Sequence, residues 1–308
     1  MINNPIIFII FNRPEHTRRS FEAIRAQRPA KLLIIADGPR IEKQTDILKC
    51  AETRQVVANI DWPCEVLRDY SEINLGCKVR VSSGLNWAFT QVEQAIVLED
   101  DCIPNPDFFR YCNELLEYYK DNKSVWVITG NNFQNGTRRG DAAYYYSKYN
   151  HCWGWATWRR AWRQYDVDMP FWPKWADTAD WKNRFVTARE RRTWENIFNQ
   201  VKKGNIDTWD YQWTATVWYS KGLTATPNVN LVTNIGYGPD ATHTVTSKDQ
   251  EGIPSEALGE LTHPTQVRVD LEADDYVFKN MFRGPNIVIK IFHHLKHRWK
   301  RAVHALFK

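Results

Sequence analysis

Along the first 130 residues, short apolar runs rich in Ile and Val recur at Pro5 to Phe11, Leu32 to Ala36, Cys64 to Leu67, Ala95 to Leu98 and Val125 to Thr129. Each ends at a polar or glycine-bearing turn, the mark of a buried strand. Between them the spacing changes. Val81, Leu85, Ala88, Phe89 and Val92 fall at helical intervals, and Phe108, Cys112, Leu115, Leu116 and Tyr119 repeat that stripe. Asp107 is the expected N-cap of the second helix, after the turn from Pro104 to Pro106. Five strands alternating with four helices predict an α/β fold with a mostly parallel sheet covered on both faces. Ligands bind such sheets at the carboxyl ends of the strands.

The pattern changes after residue 130. Eleven of the 15 tryptophans lie between Trp153 and Trp218. Packing is the usual fate of tryptophan, but a cluster this dense also suits sugar rings, whose C–H faces stack on aromatics. Residues 248–286 are polar and dotted with proline, a connecting arm. Residues 287–308 form a last amphipathic helix: Val288, Ile291, Phe292, Leu295, Trp299, Val303 and Leu306 share one face, with Lys290, His294, His297, Arg298, Arg301 and Lys308 on much of the rest.

Composition narrows the class. With 308 residues, 43% of them apolar and 25% charged, the chain is globular, not disordered or fibrous. Its apolar runs near the start are too short for a membrane span, and the expected location is cytoplasmic. The six cysteines show no C-x-x-C pair and are expected as buried, reduced thiols. The net charge of +5 is unevenly spread: from Lys279 onward there are eight Lys/Arg and no acid, which leaves the rest at −3. This argues against a nucleic-acid partner across the fold and for an anionic surface at one end.

The strongest chemical signal is Glu99-Asp100-Asp101 at the end of a predicted central strand. Three adjacent carboxylates repel one another unless a cation neutralises them. Oxygen donors of this kind select Mn2+ or Mg2+, which take further ligands from substrate phosphates. A solvated acidic turn is the plain alternative. The first strand runs into Phe11-Asn12-Arg13-Pro14, without the glycine-rich turn of a dinucleotide site. Arg13 could clamp a diphosphate or base, and Asp37, ending the second strand, could accept from a base N–H. Either could equally be ordinary turn chemistry.

In combination these residues resemble a GT-A fold glycosyltransferase, most closely the inverting N-acetylglucosaminyltransferase type that starts complex N-glycan branches, with its bacterial relatives. The resemblance spans about Pro5 to Thr244. It rests on Asn12-Arg13, Asp37, Val97 to Asp101 followed by Pro106-Asp107-Phe108-Phe109, Trp153-Gly154-Trp155, and Trp209-Asp210. It implies a nucleotide-sugar-binding half over residues 1–130 and a donor and acceptor half over 131–247. Arg13 and Asp37 would then hold the nucleotide, Asp100 the ribose and Glu99 the donor sugar. Asp101 would bind the metal, Asp210 would be the catalytic base, and Trp155 would lie by the donor or acceptor sugar. Where the family has a histidine on the helix before the acidic strand this chain has Gly84, so the nucleotide contact there falls to Lys78 or Arg80.

The chemistry is consistent with those parts. A departing diphosphate is stabilised by a divalent cation, and the attacking hydroxyl loses its proton to a carboxylate. Asp207 and Asp210 could share a helical face, with Asp207 as N-cap. The loop from Asn234 to Thr244 carries His243, either a surface residue or a contact to the diphosphate or metal. The expected partners are a nucleotide-sugar donor, UDP-linked by resemblance, and a saccharide or lipid-linked saccharide acceptor. Residues 287–308 would add peripheral contact with an anionic membrane. Two alternatives remain: a glycan-binding or inactive module of the same fold, and a glycoside hydrolase using Asp101 and Asp210.

Overall fold

The structure is a computed structural model, and it describes residues 2–236 and 252–282. In chain order the first half contains β1 (Ile6–Ile10), α1 (Pro14–Gln27), β2 (Lys31–Ala36), α2 (Gln44–Val56), β3 (Glu65–Tyr70), α3 (Gly76–Gln91), β4 (Gln94–Glu99), β5 (Cys102–Pro104), α4 (Pro106–Tyr118) and β6 (Val125–Thr129). The second half contributes β7 (Tyr144–Ser147), β8 (Trp155–Trp158), short helices α5 (Arg159–Trp162), α6 (Trp172–Trp175) and α7 (Ala179–Lys182), then α8 (Ala188–Lys202), α9 (Asp210–Tyr219), β9 (Leu223–Pro227), β10 (Val232–Asn234) and α10 (Leu271–Val277). All five expected strands are present. The third is displaced to Glu65–Tyr70 because it is an edge strand, where Arg68 and Asp69 interrupt the apolar run.

Eight strands form one mixed sheet in the order β3-β2-β1-β4-β8-β6-β9-β7. The first four are parallel, with Ile6 beside Leu32 and Ile96. β8 runs antiparallel between β4 and β6, and β7 antiparallel to β9. The halves on either side of residue 130 therefore share a single sheet.

The two-residue period of the strands sorts the core into two layers. Ile6, Phe8 and Ile10 pack with Phe21 of α1 and Phe108 and Leu115 of α4. Ile7 and Ile9 face the other way, onto Val81 and Leu85 of α3 and the tryptophan-rich half. α3 lies very close to the sheet at Gly84, where a Cβ would come within 2.5 Å of the Ile35 side chain.

Ten of the eleven tryptophans from Trp153 to Trp218 are buried, so the cluster is mainly a core. Four of its indole N–H groups are paired with side chains, Trp162 donating to Asn86, Trp172 to Asn199, Trp175 to Asp180 and Trp181 to Glu195, whereas those of Trp155 and Trp213 are buried without a hydrogen-bond partner. Such bonds remove most of the cost of burying the polar edge of the ring.

The described part of the arm, residues 252–282, has more structure than its composition suggests. It crosses β7 through bonds from Ala143 N–H to Thr262 and from Asp270 N–H to Tyr146, and it includes α10, capped by Asp270. It thereby covers part of an edge strand. The N-cap of α4 is Asn105, which accepts from Phe108 N–H at 2.9 Å, and not Asp107. Asp107 lies within the first turn and accepts instead from Leu258 N–H and Arg110. All six cysteines are free; Cys50, Cys102 and Cys112 are buried, whereas Cys64, Cys77 and Cys152 are partly exposed. Among the described residues no helix is long and apolar enough to cross a membrane. The expected membrane helix over residues 287–308 lies outside the described residues.

Candidate functional site

The carboxyl ends of β1, β2 and β4 bring Arg13, Asp37 and the acidic triplet to one end of the sheet. Arg13 follows β1 directly, and its guanidinium bridges Asp100 and Asp101, the latter at 3.0 Å. Burial acts to lower the Arg13 pKa, but Asp100 and Asp101 outweigh it and hold the group charged. Three carboxylates thus share one close cation.

The consequences differ along the triplet. Burial, then repulsion from Asp101, Asp100 and Asp210, pushes Glu99 up to about 8, against the pull of Arg13. Burial also raises Asp100, with Arg13 opposing. One Asp100 carboxylate oxygen is buried without a hydrogen-bond partner. Asp101 is held from the other side by β10. Asn234 donates to its carboxylate at 3.3 Å, and Ile235 N–H donates to its carbonyl at 2.8 Å. Gly236 lies so close that a Cβ would fall 2.1 Å from the Asp101 carboxylate.

The other expected nucleotide contacts are rearranged. Asp37 accepts from the N–H groups of Gly38, Leu75 and Gly76 and from Asn74, two donors on each oxygen. Its ordinary acceptor capacity is filled within the protein, so it anchors the start of α3 instead of presenting free acceptors to a base. Burial raises its pKa, although those backbone donors act against the rise. Arg80 is also withdrawn: it is buried in an ion pair with Asp69, beneath Gly84. Lys78, on the first turn of α3, remains partly exposed.

Asp210 begins α9, and its carboxylate accepts from the Thr208 hydroxyl and from Tyr211 N–H at 3.0 Å. Its charge acts on Glu99, Cys77 and Cys152, so it lies within electrostatic reach of the triplet. Asp207 is not the cap of α9; that position is Trp209. The Asp207 carboxylate instead lies 3.4 Å from the place of a Cβ on Gly76, whose φ of +77° favours glycine. An anion there complements the α3 N-terminus.

Trp155 does not line the cleft. It is 0% exposed and stacks on Trp209 at 5.6 Å, because its position at the start of β8 points it into the aromatic core. Trp153, two residues earlier, is partly exposed and meets Phe133 edge-on at 5.5 Å. Phe133 in turn meets His151 at 4.5 Å. Sequence reasoning missed this trio, since nothing in the local pattern brings residue 133 to 151–153; strand pairing of β6 with β8 does. His243 lies outside the described residues.

Among the described residues no group of three or more His, Cys, Asp or Glu side chains converges on a metal position. The donors at the triplet are hard carboxylate oxygens, one of them unpartnered, and these fit a hard divalent cation that takes the rest of its ligands from water and substrate phosphate.

No protein-family model matches the chain, and no curated protein does. Among solved structures, HddC from Yersinia pseudotuberculosis is 9% identical, with 56% of this chain and 86% of that chain covered and a TM-score of 0.33. HddC complexed with GMP-PN gives the same coverage at a TM-score of 0.31. The 4-diphosphocytidyl-2C-methyl-D-erythritol synthase from Anaerococcus prevotii is 10% identical, with 71% and 97% covered and a TM-score of 0.33. At these values the likenesses leave the activity of this chain open, and its fold is stated from its own topology as α/β with a mixed sheet.

Proposed function

We propose that the chain is a metal-dependent inverting glycosyltransferase that moves a sugar from a nucleotide-diphosphate sugar, UDP-linked by resemblance, to a saccharide or lipid-linked saccharide. The observation that carries this reading is the charge arrangement at the carboxyl end of β4, where Arg13 pairs with Asp100 and Asp101 beside Glu99, and Asp210 is close enough for its charge to act on Glu99. The parallel β3-β2-β1-β4 arrangement supports it, since such sheets bind ligands at this end.

Asp101 would hold Mn2+ or Mg2+, which supplies Lewis-acid stabilisation of the diphosphate leaving group. Arg13 adds a fixed positive charge beside that group. Asp37 keeps the start of α3 at the cleft edge, leaving Lys78 exposed to a phosphate or ribose. Asp210 accepts the proton of the attacking hydroxyl at its carboxylate, and a single displacement inverts the anomeric centre. Residues 287–308 would hold the protein on the cytoplasmic face of an anionic membrane. Co-sedimentation of the full chain, but not of a chain ending at Arg283, with anionic vesicles at low salt checks that part.

The test of the activity is release of free nucleoside diphosphate from a panel of UDP-sugars with Mn2+, with the anomeric configuration of the product read by NMR. Metal-dependent release with inversion supports the reading. A retained configuration, or release unaffected by EDTA, overturns it.

A further inference from the structure

A groove of about 420 Å³ lies at the end of the sheet opposite the acidic triplet. β9 is parallel to β6, and β6 shares its direction with β4 through antiparallel β8, so Leu223, which lines the groove, marks the amino end of these strands. Two stretches far apart in sequence form the walls. Ala179, Asp180, Asn183 and Arg184 come from α7 and the residues that follow it, and Val269, Leu271 and Asp274 come from the arm. Small-molecule sites are of this size, and they join an apolar lining to a few polar groups.

The polar groups of the lining are unequally engaged. Lys148 and Asp274 are satisfied: the ammonium pairs with Glu190 at 2.7 Å, and the Asp274 oxygens accept from the Ser147 hydroxyl and Lys148 N–H. Arg184 is not. A guanidinium has five N–H donors, and the hydrogen bonding of this one is a single contact to Asp180 at 3.5 Å, the outer limit of such a bond. Its Nε is buried without a partner. Asp180 is engaged elsewhere, accepting from the Trp175 indole at 2.8 Å, and Lys221 approaches it at 3.8 Å. Two cations thus share one occupied carboxylate. Burial lowers the pKa of Arg184 against the pull of Asp180, the mark of a charge short of compensation.

The neighbours of Arg184 add to this imbalance. Asn183 is exposed, and among the described residues its side-chain amide has no hydrogen-bond partner. Burial pushes Asp274 up to about 7, so below neutral pH it contributes little negative charge. On the apolar side, Leu271 is 50% exposed beside Val269 and Leu223. The groove therefore offers unused donors, a positive surplus and an aliphatic surface together.

We propose that this groove binds a small organic anion, with Arg184 and Asn183 holding its carboxylate or phosphate group and Leu223, Val269 and Leu271 receiving a short apolar part. The planar fork of arginine can donate two parallel bonds to such a group. The site stands apart from the transferase reading, since none of its residues belongs to the triplet's end of the sheet.

The experiment titrates the full chain with hexanoate, hexyl phosphate, hexanamide and acetate by calorimetry, with and without UDP and Mn2+. Hexanoate or hexyl phosphate is expected to bind saturably, the tighter of the two assigning the acidic group. Hexanamide, which lacks the charge, and acetate, which lacks the chain, are expected to bind about tenfold more weakly or less. Arg184→Gln should weaken the anion by about tenfold or more. Where the loss of this largely buried side chain disturbs the fold, Asn183→Asp decides: the position is exposed, so the melting temperature should stay near wild type while the new carboxylate repels the anion. Four results overturn the inference: no saturable binding of either hexyl anion, hexanamide or acetate as tight as hexanoate, binding unchanged in Asn183→Asp, or displacement by UDP with Mn2+, which would put the anion at the other end of the sheet.

Discussion

The two ends of the sheet each bury a charge cluster, and they solve the problem in opposite ways. At the opposite end of the sheet, where the edge strand β7 finishes, Lys148 pairs with Glu190 at 2.7 Å, and its ammonium lies over the rings of Tyr149, Phe185 and Trp218. Tyr149 donates to Glu190, and Asp274 accepts from the Ser147 hydroxyl and Lys148 N–H. Although a groove of about 420 Å³ borders Lys148 and Asp274, both are under a tenth exposed. At the carboxyl end, Arg13 serves three neighbouring carboxylates and one Asp100 oxygen has no partner. The first cluster is completed by the fold. The second is left with a surplus of negative charge that a substrate cation can relieve, which is the physical basis of the functional reading.

The largest expected effect separates chemistry from packing. Asp210→Asn keeps size and hydrogen bonding but cannot accept a proton, so turnover is expected to fall by about two to four orders of magnitude with donor affinity near wild type. Steady-state rates beside nucleotide binding check this. Equal losses in both would make Asp210 a donor contact.

Trp213→Ala sharpens the contrast from the other side. Trp213 is fully buried and touches Trp155 at 5.9 Å and Trp162 at 5.1 Å. Its removal is expected to cost about 3–5 kcal/mol in urea unfolding, whereas Trp153→Ala, at the partly exposed site, should cost far less.

The closed cluster has its own signature in pH. Burial, with Glu190 adding to it, raises Asp274 from 3.8 to about 7, against Lys148 and the Ser147 hydroxyl. The raised value means that folding favours the neutral acid, so this contribution is complete below about pH 4 and lost as pH rises through about 7. Asp274→Asn should reduce the stability difference between pH 4 and pH 8 by on the order of 2–4 kcal/mol. An unchanged difference would show that Asp274 is ionised throughout. A smaller effect, about 1 kcal/mol, is expected for Asn105→Ala, which removes the α4 cap; Asp107→Ala tests the alternative cap.

Legibility in the sequence followed the range of the interactions. β1, β2, β4 and β6 were readable because strands buried on both faces need continuous apolar runs, and the α3 and α4 stripes because each helix has one buried face. The acidic triplet was readable from its place after such a run. Trp155 was not, since the face of a short aromatic strand is decided by its neighbours in the sheet. The engagement of Asp37 was not either, because its donors at Leu75 and Gly76 lie 38 and 39 residues away. Nor was β7, whose Tyr144-Tyr145-Tyr146 has no alternation and is held by β9.

The central claim is that the surplus negative charge around Asp101 is there to bind a cation together with a nucleotide. The most direct measurement is thermal melting of wild type and Asp101→Ala with UDP, with Mn2+, with both, and with both plus excess EDTA. The account predicts a stabilisation of wild type by the pair that exceeds either ligand alone, about 2.7 kcal/mol at a hundredfold excess over Kd, abolished by EDTA and by Asp101→Ala. A UDP shift that is the same in EDTA and in Asp101→Ala would contradict it.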